Sequence, residues 1–261
     1  DYFDVEEGRG GMSVIDPALS RRFDRKILID LPNADDREKL LRLLLSKNIM
    51  CEVSDEMIRR TAERAVGMSP ANLTSVVELA NRMAVKAGKA VDDAVLDEAF
   101  ELTRHGEKKD WGYEYLERVA RHESGHAFLC YLGGNTPSYL TIVARGSHGG
   151  YMEHSSNEMG PLSTKEELIN RIRTSLGGRA AEIAYYGEKN GVSTGASGDL
   201  EQATRVASAM ISVYGMDDDF GLAYMDPKEA MREPAFRKKV NEILGREMNE
   251  AVEIIQKNRD R

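Results

Sequence analysis

Apolar residues recur along most of this chain every three to four positions, the spacing of a helix with one buried face. Behind Asp35-Asp-Arg-Glu38, whose acidic side chains suit a first helical turn, Leu40, Leu41, Leu44 and Leu45 fall on one side. Ser69 is placed to cap a helix that begins with Pro70, since proline lacks the N–H that the first helical position cannot use. Leu73, Val76, Val77, Ala80 and Ala84 then keep the period, and residues 91–100 predict another short helix. Residues 33–104 therefore read as a bundle of about four helices. Upstream, Lys26-Ile-Leu-Ile-Asp-Leu31 looks like one short buried strand stopped by Pro32, and residues 1–12 show no period and read as a linker or the ragged end of something longer.

The polar run His105-Gly-Glu-Lys-Lys-Asp110 predicts a boundary, dividing the chain into 1–32, 33–107 and 108–261. Beyond it, Leu116, Val119, Ala120, Ala127 and Cys130 mark a helix that stops at Gly133-Gly134. Tyr139-Leu-Thr-Ile-Val143 is strand-like, with a second strand expected near Tyr151. Ser163-Thr-Lys-Glu166 has the form of a capping box ahead of Leu168, Ile172, Leu176, Ala180 and Ile183. Ser197 is placed to cap a helix carrying Leu200, Ala203, Val206, Ala207, Met210, Ile211 and Tyr214, and residues 235–258 read as a last, highly charged helix. The fold class is mainly α with a small β element.

Composition narrows the function classes. With 7 Pro in 261 residues and 31% charged residues, the chain reads as soluble, helix-rich and globular. A net charge of −8 has the wrong sign for gripping phosphate backbones, so nucleic acid is not expected as a partner. Cys51 and Cys130 lack any CxxC spacing, which argues against a disulfide framework or a thiolate zinc site. No stretch reaches the ~18 to 20 consecutive apolar residues that span a bilayer, and the acidic start is unlike a signal peptide.

One stretch carries chemistry: His122-Glu-Ser-Gly-His126, an HExxH sequence within a helical pattern. Residues i and i+4 share a helix face, so both imidazoles can converge on one zinc while Glu123 reaches a metal-bound water as general base. Gly125, in a helix interior where glycine costs ~1 kcal/mol against alanine, suggests close approach of another backbone or relief of core crowding. A third ligand is needed, and spacing leaves Glu182, Glu201, Asp199, His148 and His154 open. Asp199 follows a run of small residues at a helix start, where its carboxylate equally suits the helix dipole. Ser147-His-Gly-Gly-Tyr-Met-Glu153 is expected to offer a strand edge to an extended peptide, with Gly149, Gly150, Tyr151 and Met152 as the substrate-binding residues.

Taken in order, His122-Glu-Ser-Gly-His126, Ser175-Leu-Gly-Gly-Arg-Ala-Ala-Glu182 and Ser193-Thr-Gly-Ala-Ser-Gly-Asp199 resemble the protease domain of the FtsH family of membrane-anchored AAA zinc metalloproteases. Asp16-Pro-Ala-Leu19 and Arg22-Phe-Asp-Arg25 resemble the end of that family's ATPase core, and Gly67-Met-Ser-Pro-Ala-Asn-Leu73 resembles its lid. The resemblance covers roughly residues 14–258. It implies a remnant of the ATPase core over 1–32, a helical AAA lid over 33–107 and a zincin-like metalloprotease domain over 108–261. It further implies Asp199 as the third zinc ligand, and Arg22 with Arg21 as arginine fingers toward a neighbour's nucleotide.

Ser20-Arg-Arg-Phe-Asp-Arg25 lacks the Pro-Gly usual in the family, and Pro70 and Asn72 replace the commoner Gly and Asp of its lid motif. No GxxxxGK[ST] is present, the one Gly-Lys pair being Gly88-Lys89-Ala90, so ATP and magnesium are expected only in a longer parent. The implied activity is zinc endopeptidase, fed with unfolded or membrane proteins through a homo-hexameric ATPase ring. The parent would be anchored by an N-terminal membrane segment, with this part soluble and facing the cytoplasm of a bacterium or an organelle interior. The rival is a catalytically silent, chaperone-like assembly module of the same fold, whose signature would be loss of Glu123 or of a zinc ligand.

Overall fold

The computed structural model describes residues 30–47, 50–146, 149–155 and 162–259. Asp16 to Leu19, Arg21, Arg22, most of the expected strand at 26–31, His148 and the side chain of His154 lie outside the described residues.

Four helices build the first half: α1 (Ala34–Leu45), α2 (Asp55–Arg64), α3 (Pro70–Ala87) and α4 (Asp93–His105). Each begins at a side chain that accepts a backbone N–H three positions on: Asn33, Ser54, Ser69 and Asp92. At α3 the cap is a full box, with Asn72 reaching back to Ser69. Asn72, a departure from the family's lid motif, thus has a structural task. The apolar faces meet in one cluster that includes Leu41, Ile58, Leu73, Val76, Leu96 and Phe100.

The second half runs α5 (Tyr113–Leu132), β1 (Thr136–Thr141), β2 (Tyr151–Ser155), α6 (Lys165–Gly191), α7 (Ser197–Ser212), the short α8 (Pro227–Ala230) and α9 (Pro234–Asn258). Two apolar clusters hold it together. One joins Ile172 and Leu176 of α6 to Met210 and Ile211 of α7 and Phe236 of α9, and the other joins Leu129, Ala181, Ala251 and Ile255. Neither shares a residue with the cluster of the first half.

Three local expectations shift. The strand β1 covers 136–141 rather than 139–143, pairing antiparallel with β2 through an irregularity between Pro137 and Tyr139. It ends early because the Val143 N–H turns back to the Thr141 hydroxyl at 3.1 Å, after which Arg145 pairs with Lys108. The capping box of α6 is Thr164 with Glu167, one residue later than Ser163 with Glu166, since the sequence offers both pairs and only one becomes the cap. Ser197 is the first residue of α7 and does not cap it. A 3-10 turn at Thr194–Ala196 leads straight into that helix, and the capping hydroxyl is Ser193, which accepts the Gly195 N–H.

Candidate metal centre

Helices α5 and α6 cross at two glycines. A methyl group on Gly125 would stand 2.3 Å from the Gly177 carbonyl oxygen, and one on Gly177 would stand 2.7 Å from that of Gly125. Gly125 therefore serves backbone approach. The close crossing lays the His122 imidazole over Gly178, where a methyl group would meet Nε2 at 2.2 Å.

His122 and His126, one turn apart, turn their Nε2 atoms toward each other at 3.2 Å. Asp199, in the first turn of α7, brings Oδ2 to 3.1 Å from the first and 3.4 Å from the second. Asp199 reaches this point because the chain folds back on α6: a methyl group on Gly191 would lie 2.6 Å from the Glu182 carbonyl oxygen. Among the described residues these three form the one such cluster of potential ligands.

The rings are oriented from behind. His126 Nδ1 donates to the Thr174 carbonyl at 2.7 Å, and His122 Nδ1 lies 2.7 Å from Glu182 Oε1. With both Nδ1 protons so committed, neutral rings present two Nε2 lone pairs to each other and to a carboxylate. Such a group is self-repelling unless a proton or a cation sits within it. A tetrahedral ion with bonds of 2.0–2.1 Å separates its ligands by ~3.3 Å, close to all three edges of this triangle. The donor set, two imidazoles and one carboxylate, fits zinc.

Of the other third-ligand candidates, Glu182 and Glu201 stand elsewhere. Glu182 is only 2% exposed and lies on the Nδ1 side of His122, where it also accepts from the Ser193 hydroxyl at 3.0 Å and pairs with Arg118. Glu201 is exposed and pairs with Arg205. The Arg118 guanidinium in addition donates to the Asn190 carbonyl at 2.9 Å and stacks over Tyr186. Arg118, Thr174, Gly178 and Ser193 were given no role of their own by the sequence, because their partners lie 11 to 72 residues away or are backbone atoms.

Electrostatics favour a cation here. Burial alone would depress the His122 pKa, but Asp199 and Glu182 outweigh it and push it up to about 9. Burial raises the Asp199 and Glu182 carboxyls, yet His122 and their other hydrogen-bond partners hold both below the ordinary range. Glu123, 8% exposed, behaves oppositely: burial lifts its pKa, with His126 and His122 pulling it part of the way back.

The hairpin commits part of the expected substrate edge to contacts within the chain. Gly149 and Gly150 give room to the chain's own side chains: methyl groups there would stand 2.5 Å from Trp111 and 2.7 Å from Val119, and the second would lie 3.1 Å from Glu123 Cγ. The Tyr151 hydroxyl bonds Glu101, and the ring stacks on His105, so that side chain is committed to α4. Met152 pairs with Leu140 on β1. Among the described residues each strand has a single partner, which leaves backbone edges on both sides of the pair.

The profile of peptidase family M41 matches residues 113–261. Curated relatives named ATP-dependent zinc metalloprotease FtsH include one from Mycoplasmopsis pulmonis, 38% identical over 212 residues, covering 78% of this chain and 29% of that protein. Another, from Streptococcus pneumoniae serotype 4, is 34% identical over 268 residues and covers 95% and 40%. A third, from Clostridium perfringens, is 40% identical over 224 residues and covers 82% and 30%. The chain spans 40% or less of the length of these relatives.

Proposed function

The chain belongs to peptidase family M41, and on that footing we propose that it is the zinc endopeptidase part, with an adjoining helical lid, of an ATP-dependent protease. The observation that carries this reading is the convergence of His122 Nε2, His126 Nε2 and Asp199 Oδ2 within 3.4 Å of one another, with buried Glu123 on the same helix. Zinc held by His122, His126 and Asp199 would supply Lewis-acid polarisation of a peptide carbonyl and make water acidic enough to react near neutral pH. Glu123 takes the proton of the attacking water on a carboxylate oxygen and delivers it to the departing amide nitrogen. Its raised pKa suits a group that must hold that proton between the two events. Glu182 and the Thr174 carbonyl keep both imidazoles in the tautomer that leaves Nε2 free. All four groups of the HExxH and aspartate set are present, which disfavours a silent assembly module.

Residues 33–107 are assigned to the lid and 108–261 to the protease domain, an assignment supported by their separate apolar clusters. For the parent we infer unfolded or membrane proteins as substrates, a ring of six copies, ATP and magnesium bound by other segments, and a membrane anchor. Arg22, with Arg21, would face a neighbour's nucleotide there. No described helix of this chain is long and apolar enough to cross a membrane.

The test measures zinc content and cleavage of a flexible fluorogenic peptide, of a permanently unfolded protein and of a tightly folded domain, each with and without ATP. The expected result is about one zinc per chain and chelator-sensitive, ATP-independent cleavage of the first two substrates. A chain that binds no zinc, or cleaves equally well after its removal, overturns the reading.

A further inference from the structure

The most densely connected charged cluster outside the metal centre surrounds Arg64, the last residue of α2. Its side chain is 2% exposed, and every guanidinium nitrogen has a partner. Nε donates to Glu153 Oε2 of β2 at 2.7 Å, and Nη1 donates to Asp97 at 3.2 Å. Nη2 donates to Glu101 and to the Tyr151 hydroxyl, the latter at 3.1 Å. The guanidinium also lies 3.6 Å from the centre of the Tyr139 ring and 4.9 Å from that of Phe100. Arg145, beyond β1, extends the cluster to Glu98 at 2.8 Å and to Glu101.

Two strands and two helices therefore meet at one buried cation. Tyr139 and Glu153 are cross-strand partners, and Tyr151 is two residues along β2, so all three project from the same face of the hairpin. That face is given over to the bundle, while the Leu140 and Met152 pair belongs to the other. Behind the cluster, the Lys109 N–H donates to the Ala144 carbonyl at 2.8 Å and the Gly146 N–H to the Glu107 carbonyl at 3.2 Å, so the linker itself is stitched to the hairpin.

Buried ion pairs are weak devices for raw stability, because desolvation offsets their attraction and apolar residues of similar volume often hold as well. What they add is direction: a planar fork with acceptors at every nitrogen admits one pose. Immediately before Tyr151, Gly150 packs against Val119 and Glu123 Cγ. A reorientation of the bundle must carry the strands past Glu123 or break the cluster.

We propose that Arg64 is a positioning residue: through Glu153 and Tyr151 it fixes the hairpin, and with it the strand edge beside Glu123, to the helical bundle. The part of this proposal that concerns substrate rests on the peptidase reading above; the mechanical link does not. The experiment uses the 261-residue chain with zinc and the variants Arg64→Gln, Glu153→Gln and their combination. It records KM and kcat on a flexible fluorogenic peptide, zinc content, and hydrogen exchange of residues 136–155 beside that of α3 and α7. Faster exchange in the hairpin is expected in both single variants, with KM raised several-fold, kcat within about twofold, zinc unchanged, and the double variant no worse than the more affected single one. Arg64→Gln also touches the bundle core, but Glu153→Gln replaces no bundle residue, and α3 exchange reports whether the bundle survives. Unchanged hairpin exchange and unchanged KM in Glu153→Gln would overturn the proposal, as would a fall in kcat alone. If the unmutated chain cleaves nothing, the peptidase reading fails, and hairpin exchange still decides whether the link exists.

Discussion

Gly178 lies directly beneath His122: a single methyl group added to it would stand 2.2 Å from the imidazole Nε2. The clash is with a side chain that has somewhere else to go. Gly178→Ala is therefore expected to fold, with its far-UV spectrum retained, and to lose most of its zinc because His122 must swing away. Gly125→Ala meets the Gly177 backbone instead and should lower stability by about 1 to 3 kcal/mol, read as a lower melting temperature. A Gly178→Ala chain with full zinc would show that the ring is not held where the structure has it.

Glu123→Gln should separate proton transfer from metal binding. Gln cannot take a proton but has nearly the shape of Glu, so peptide cleavage should fall by about 10²- to 10⁴-fold while zinc stays near one per chain. Metal analysis beside initial rates makes the check, and retained cleavage would remove Glu123 from its role as base.

The two carboxylates flanking His122 should differ in kind. Glu182→Gln loses an orienting partner, for which a weakening of metal affinity of about 10- to 100-fold is typical. Asp199→Asn loses a ligand and should weaken affinity further. Competition with a chromogenic chelator ranks the two, and the reverse order would exchange their assignments.

Much of this site was legible because HExxH on a helix is local: His122 and His126 are one turn apart wherever that helix goes. The helical bundle was legible for the same reason, its caps and apolar stripes being set within a few residues. Asp199 was another matter. It lies 77 residues from His122, and small residues before a helix start describe several positions that no local rule ranks. Glu182 stood among the open ligand candidates because the partners that fix it, Arg118 and Ser193, lie on another helix and in a loop. At Gly149 and Gly150, where the sequence suggests room for an incoming peptide, added methyl groups would meet Trp111, the Thr141 carbonyl and Val119. An empty side chain says that something is close without saying what.

Acid should open the hairpin. Burial raises the Glu153 and Glu98 carboxyls, but their basic neighbours, His105 and Arg64 for the first and Arg145 with Lys108 for the second, hold both below the ordinary carboxylate range. A carboxylate whose folded-state value is depressed stabilises the fold above its unfolded value and loses that contribution as pH falls through the folded one. The protection of residues 136–155, measured against the intrinsic exchange rate at each pH, should therefore fall below about pH 4.5, before the amides of α3 are exposed. Simultaneous loss of protection in both would count against a local role for these pairs.

The 77-residue separation of His122 from Asp199 also has a meaning in time. A chain leaving the ribosome at about 5 to 20 residues per second exposes His126 several seconds before Asp199 can follow. Throughout that interval the two imidazoles lack the carboxylate, and for most of it they also lack the helix Lys165–Gly191 and the glycine crossing that turns them inward. Because metal sites of this kind form together with the fold that supplies their ligands, the nascent polypeptide is unarmed. Within a single chain, the order of synthesis alone keeps the two imidazoles and their third partner apart until the fold that joins them has been made.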